Sequence, residues 1–499
     1  MRAPGRVELL LLGVPLLVAL PLTVAAADRS DVIRAENARP GTTDWILRNT
    51  QRGPVPPLHA PVDEPYDAGW RRRTQVEGFC SHTSIRAGER LAVHVSADPP
   101  AQYRADIYRM GYYGGKGARL MRSLGPFQGA AQPAPEDGPR HVRECRWSEG
   151  FSLEIPPDWV SGVYLGKLTT LETNGESYVV FIVRDDRKAD LVFQSSDMTW
   201  LAYNRWPAWR SLYDYGEDHW GASAERPGYD VSFDRPYGLY WNGFPAGFEP
   251  LTNGSGEFLL IEHPLAFWLE KEGYDVTYIS NVDTHADPDA LRRGRVFVSV
   301  GHDEYWTREM FENVTRARDA GVSLAFLSGN AVSGVVELLP SSDGRPDRVM
   351  RRLGGFEGEQ DLMGARSYGV GFADWTCAVP GHWVFAGTGM KMGDRVSQLV
   401  GWEFHGPPLG DHESLEVLSR GPVYGWNGER DEKSYATTLY AAGKGNLVFN
   451  AATCWWNMVL STPPGFMNPP RRYFLEDDAR IQRITKNVLD RMIAVSPID

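Results

Sequence analysis

At 499 residues the chain is longer than a single hydrophobic core usually serves, so two domains are the default. Hydrophobic content of 42%, aromatic content of 12% and 17 Trp exclude an intrinsically disordered chain. A formal net charge of −12 without a long basic run excludes electrostatic recruitment by nucleic acid or an anionic membrane and leaves a small or neutral partner.

Residues 1–27 read as a secretory signal: Arg2 and Arg6 precede an apolar run from Leu9 to Val24, and Ala25 with Ala27 form an A-x-A cleavage site. Cleavage would leave the protein secreted or periplasmic, with no membrane attachment. Residues 28–72 are rich in Pro, Gly and charge and predict an extended N-terminal arm. Residues 73–185 alternate in period two, as at Leu91, Val93 and Val95, at Tyr103, Ala105 and Ile107, and at Tyr178, Val180 and Ile182. That pattern, broken by Gly, Pro and Asp turns, predicts a β-sandwich of immunoglobulin-like size. Gly111–Gly117 lacks the phosphate-loop spacing and is expected to be a hairpin connection, with Arg109 and Arg119 at the domain interface.

After the charged linker Asp185–Lys188 the period changes, and residues 189–499 predict an α/β domain with a mainly parallel sheet. Strands are expected at Leu191–Gln194, Val276–Ile279, Val296–Val300, Val322–Leu327 and Leu447–Asn450. Helices are expected at Ile261–Lys271, at Thr307–Ala320 with Thr307 as cap, and near the C-terminus with Ile481, Ile484, Val488 and Met492 on one stripe. The pattern between Ala331 and Ala436 assigns no element. Cys80, Cys145, Cys377 and Cys454 fall two to each domain without a C-x-x-C pair, so export favours the disulfides Cys80 to Cys145 and Cys377 to Cys454 over a cysteine metal site.

Ligands of an α/β domain gather at the carboxyl ends of its strands. Strand Val296–Val300 runs into Gly301-His302-Asp303-Glu304-Tyr305-Trp306, and the next strand ends in Ser328-Gly329-Asn330-Ala331, a strand-to-helix turn of the kind that carries a hydrolase nucleophile. The elbow residue here is Asn330, and an amide cannot attack. Hydrolysis would then need another way to activate water, and a bound metal supplies one. Glu304 is a candidate ligand, and Tyr203, Tyr213, Tyr215, Tyr237 and Tyr240 offer phenolates that suit a hard ion. Taken singly, each tyrosine is more often a packing residue, His302 a structural imidazole and Asn330 a turn residue in left-handed conformation. Trp455-Trp456 is more readily core than a sugar platform.

Five segments carry a resemblance: Ile107–Arg119, Thr199–Asn204, Ser232–Tyr237, Gly301–Trp306 and Gly329-Asn330. In this order they resemble the N,N-dimethylformamidase large (beta) subunit family. The resemblance implies a class I glutamine-amidotransferase-like α/β domain that hydrolyses carbon–nitrogen bonds of linear amides. It also implies one Fe(III) per chain, held by two tyrosinates and a glutamate. By position it makes Tyr203 and Glu304 ligands, with Tyr237 or Tyr240 the second tyrosine and Tyr237 favoured because it lies in a matching segment. His302, Asn330 and Glu403 then stand as catalytic residues. The expected substrate is a small or N-substituted, formamide-like amide, and the expected partners are a further copy of the chain or a small helical subunit. The other class that these residues allow is a non-catalytic exported binding protein, for glycan, on the same scaffold.

Overall fold

The computed structural model describes residues 31–49, 75–207, 210–215, 222, 228–238, 253–408, 414–425, 427–465 and 475–496, with Met1. The leader and cleavage site expected at residues 1–27 lie outside these residues, as does Tyr240.

The N-terminal half forms two facing sheets. Glu77–Cys80, Arg90–Ser96 and Glu149–Glu154 make one, and Ser84–Arg86, Glu176–Arg184, Gly162–Thr170, Gln102–Met110 and Ala118–Gln128 make the other, both in that spatial order. Leu91, Val93 and Val95 meet Tyr103, Ala105, Ile107, Val179, Phe181 and Val183 in the core between them. The alternation that predicts these strands does not show as alternating burial, because both faces of the larger sheet are covered. Tyr178, Val180 and Ile182 point the other way and join Leu191, Phe193, Leu265 and Leu269 in a second core. The sandwich is therefore packed broadside onto the rest of the molecule.

That interface has a buried polar centre. Arg109 at the end of Gln102–Met110 pairs with Glu270 at 2.8 Å, both side chains fully buried. Ser161 O accepts a further bond from the guanidinium, and the Tyr278 hydroxyl donates to Glu270. Asn37 and Glu36 extend this network to Tyr112, Tyr113 and Arg119. They lie on or beside the short helix Val32–Asn37, so the arm is not wholly extended. Six helical residues are too few to leave a readable periodicity, and the tertiary hydrogen bonds hold them.

The second half is built on a seven-stranded sheet in the order Val276–Ser280, Ala189–Ser195, Gly294–His302, Ser323–Gly329, Leu447–Asn450, Arg430–Ala441, Glu416–Tyr424. The first five are parallel and the last two antiparallel. Numbered along the chain, the parallel part runs 2-1-3-4-5, the doubly wound order whose switch point lies between Ala189–Ser195 and Gly294–His302. Arg308–Ala320 is capped by Thr307, whose side chain accepts from Met310 N, and Ala479–Val495 buries Ile481, Ile484, Val488 and Met492. A π-turn at Phe258–Glu262 precedes the helix His263–Glu272. The turn after Ser323–Gly329 corrects the strand-to-helix expectation: it enters the strand Gly334–Leu339 of a separate four-stranded sheet. Trp455 and Trp456 are buried, and Trp456 meets Trp375 and Phe449 edge to face.

The expected disulfides are also corrected. All four cysteines are buried thiols. Cys80 belongs to the sandwich core, whereas Cys145 packs with Phe79, Trp147 and Trp206. The Cys454 thiol donates to Gly329 O at 3.4 Å. Cys377 and Cys454 both lie in the largest core as free thiols, and buried cysteine commonly packs as a small apolar group. Among the described residues no helix is long and apolar enough to cross a membrane.

Candidate functional site

The switch point delivers two elements to one place. Strand Gly294–His302 ends at His302, and Asp303 behind it is fully buried. Asp303 accepts hydrogen bonds from Gln194, Asn281 and Ser299, which ties the strand end to its neighbours. On the adjacent strand, Ala189–Ser195 leads into the helix Asp197–Tyr203. Thr199 Oγ1 of this helix accepts from the backbone of Glu304 and Tyr305 at 3.0 and 3.3 Å. One turn later, on the same face, the Tyr203 hydroxyl donates to Glu304 Oε2 at 2.6 Å. The helix thus fixes both the backbone and the carboxylate of Glu304.

Two further tyrosines close around that carboxylate. The Tyr213 hydroxyl lies 2.6 Å from that of Tyr203 and 3.0 and 3.1 Å from the two Glu304 oxygens. Tyr305 reaches the Tyr213 hydroxyl at 2.5 Å. Arg352 lies over the Tyr213 ring, 5.6 Å from its centroid. Tyr237 is not brought here. It packs edge to face on Trp200 at 6.2 Å and lines a small cavity with Cys80, Asp197 and Arg235. Tyr213 reaches Glu304 instead, because the chain at 210–215 turns back toward the helix end: Leu212 N donates to Ala202 O.

On the other side of Glu304 stands His302. Its Nε2 lies 2.6 Å from Glu403 Oε2 and 3.3 Å from Glu304 Oε2, and its Nδ1 lies 3.5 Å from Glu257 Oε2. Trp402 meets the imidazole edge to face at 4.8 Å. Asn330 follows Gly329, which is in register with His302, and takes φ 51°. Its Oδ1 is buried and has no hydrogen-bond partner among the described residues. The left-handed conformation is one that Asn tolerates. Tyr305, Glu257, Arg352 and Trp402 are site residues to which the sequence assigns no role. Tyr305 lies inside a matching segment, and Glu257 carries no local signal.

Burial sets the electrostatics. It opposes a charge on His302, yet Glu403, Glu257 and Glu304 outweigh it and hold the imidazole well above its ordinary pKa. Burial also works against ionised Glu304, but His302 and the Tyr203 hydroxyl keep that carboxyl below the usual range. Glu403 is pushed up, chiefly by burial. Tyr203, Tyr213 and Tyr305 are held well above the ordinary phenol range by burial and then by the Glu304 charge. Such phenols keep their protons unless a cation displaces them.

This donor set fits a hard, highly charged cation. His302, Glu304 and Glu403 could hold a metal ion, with ligand atoms all within 4.8 Å of one another, and two tyrosine oxygens touch the same glutamate. His302 Nε2 and Glu403 Oε2 are close but not aligned for a mutual hydrogen bond. Three buried carboxyl groups face one imidazole, with Arg352 the other cation close by among the described residues, and burying so many acidic groups together is costly unless they stay protonated or a further cation joins them. Oxygen donors of this kind favour hard ions over soft ones.

Comparison with known proteins gives one family: the model for the N,N-dimethylformamidase beta subunit-like, C-terminal family matches residues 104–469. No curated protein matches the chain.

Proposed function

The chain belongs to the N,N-dimethylformamidase beta subunit-like family, and from that premise and the site geometry we propose that it is an exported, ferric-ion-dependent hydrolase of small or N-substituted amides. The observation that carries this reading is the contact of Tyr203 and Tyr213 with Glu304, beside the His302–Glu403 pair, in one buried site. Tyr203, Tyr213 and Glu304 would hold one Fe(III). When bound, the ion supplies a Lewis acid that polarises a carbonyl and lowers the pKa of water. Export rests on the leader-like residues 1–27. The 2-1-3-4-5 sheet order supports a glutamine-amidotransferase-like catalytic domain over 189–499, and the two facing sheets support an immunoglobulin-like unit over 73–185.

The chain's own residues supply the proton chemistry. His302 and Glu403 lie close enough for their charges to couple, so the two titrate as a pair. The pair takes a proton from the attacking water and returns it to the amide nitrogen as the carbon–nitrogen bond breaks, so one amide and one water become one carboxylic acid and one amine. Help of this kind is typically worth about 10² to 10⁴ in rate. Asn330, with its amide at the neighbouring strand end, donates to the carbonyl oxygen as it gains charge. In this scheme water attacks the carbonyl directly, so no acyl-enzyme is needed.

Elemental analysis, a visible spectrum and amine release from a panel of formamides and acetamides test the reading. We expect one iron per chain, a tyrosinate-to-iron absorption band and amine release. A colourless protein that takes up no ferric ion on reconstitution would end it.

A further inference from the structure

Glu257 is buried at 1% exposure, and His302 is the one cation within ion-pair reach of it among the described residues. Its two carboxylate oxygens have no aligned hydrogen bond in the described residues, and neither does His302 Nδ1 at 3.5 Å. The other imidazole nitrogen, Nε2, is faced by Glu403 and Glu304. The ring is thus divided, with Glu257 behind it and the candidate site in front.

The path that brings Glu257 there is tightly constrained. Asn253 is anchored to the sandwich, accepting from Tyr178 N at 2.9 Å and donating to Glu176 O at 3.2 Å. Gly254 has φ +93°, and a Cβ there would lie 2.0 Å from Tyr178 O; one at Gly256, φ +59°, would lie 2.6 Å from the Trp200 ring. Only glycine lets the backbone pass at both points. Glu257 O then accepts from Leu260 N and Ile261 N at 3.0 Å each, which starts the π-turn. At its end Glu262 accepts from Ser196 N and Trp200 Nε1. A carboxylate threaded this closely between two units and left facing one imidazole nitrogen has an orienting geometry.

We infer that Glu257 is a positioning residue: it accepts the Nδ1 proton of His302, fixes the ring, and presents Nε2 to the substrate side. This rests on the proposed function for the meaning of Nε2, but the hydrogen bond does not. A metal-ligating histidine is commonly held by an acceptor on its other nitrogen, whose removal typically costs about 10- to 100-fold in activity, and the same orienting geometry applies to a histidine that moves protons through one nitrogen. The β-sandwich thereby acquires a part in the site, since strand Glu176–Arg184 anchors the segment that carries Glu257.

The test uses the full chain loaded with gallium in place of iron and labelled with ¹⁵N-histidine, comparing wild type with Glu257→Gln and Glu257→Leu. The expected result is a downfield, exchange-protected His302 Nδ1 proton in wild type that moves upfield in Glu257→Gln and is lost in Glu257→Leu. In the iron-loaded proteins kcat should fall about 10- to 100-fold, with KM and iron content within twofold of wild type. Absence of the protected proton in wild type overturns the inference by itself, whatever the variants do. So does a Glu257→Leu protein with an unchanged resonance, or variants that lose metal while the resonance stays. Should wild type show the proton and lose it in the variant, yet release no amine from any amide, the positioning role stands and the hydrolase reading falls.

Discussion

The hydroxyls of Tyr203 and Tyr213 lie 2.6 Å apart, one at the end of a helix and the other on the segment that follows it. Both reach Glu304, which comes from the neighbouring strand of the switch point. Two protonated phenols and one carboxylate, drawn from three places in the chain, would become three anionic donors once a cation displaced the phenolic protons, and this makes the pair informative.

Replacing Tyr213 with Phe should weaken ferric binding by roughly 10- to 100-fold or more, the scale found even for partners one step removed from a metal. The visible band should shift or vanish. Tyr237→Phe should leave both unchanged, since Tyr237 packs on Trp200. Iron titration followed by absorbance decides between them, and the reverse ranking would return the role to Tyr237. Because both site phenols are held well above their ordinary range, binding must release protons, so affinity should rise with pH and iron be lost in acid.

His405 offers a pH prediction away from the iron question. Its Nε2 accepts from Ala331 N at 2.8 Å and its Nδ1 faces Asn450 Oδ1 at 2.7 Å, which describes a neutral imidazole protonated on Nδ1. Burial lowers its pKa to about 4. The unfolded chain binds a proton below about 6.5 that the folded chain refuses, so this contribution to stability is complete above 6.5 and is lost as pH falls toward 4. At full extent it amounts to roughly 3 kcal/mol. A histidine titration by NMR should place His405 near 4; a midpoint near 6.5 would contradict the assignment.

Arg109→Met should cost about 3–5 kcal/mol in urea unfolding, because Glu270 would remain buried with its charge uncompensated. The pair Arg90–Glu149 has side chains 59% and 35% exposed, and Arg90→Met should cost less than about 1 kcal/mol. Equal costs for the two would mean that the buried network does not hold the sandwich to the α/β half.

For the cysteines we expect no thiol-reagent labelling in the folded protein and four titratable thiols after denaturation without reductant. Burial pushes the Cys80 thiol up to about 12, which suppresses its reactive form. A melting temperature that falls on addition of reductant would instead reveal disulfides.

Local periodicity was enough to read the strands that lead into His302 and Asn330, the Thr307 cap and the C-terminal apolar stripe from the sequence alone. Alternation, helical spacing and capping express the chain's nearest neighbours, which the sequence states directly. The short motif at 301–306 likewise put His302 and Glu304 at a strand end. Contacts between distant segments follow a different rule. The matching segment favours Tyr237 over the other phenols, yet it is the path of 210–215 back to the helix end that brings Tyr213 to Glu304. Glu257 sits in a glycine-flanked segment with no periodic signal, and its place behind His302 comes from packing against Tyr178 and Trp200. Cys80 and Cys145 looked pairable by domain, yet separate apolar clusters claim them. A side chain's neighbours across the fold depend on the summed course of every intervening turn, and small differences in that course decide which of several chemically equivalent residues meets the site.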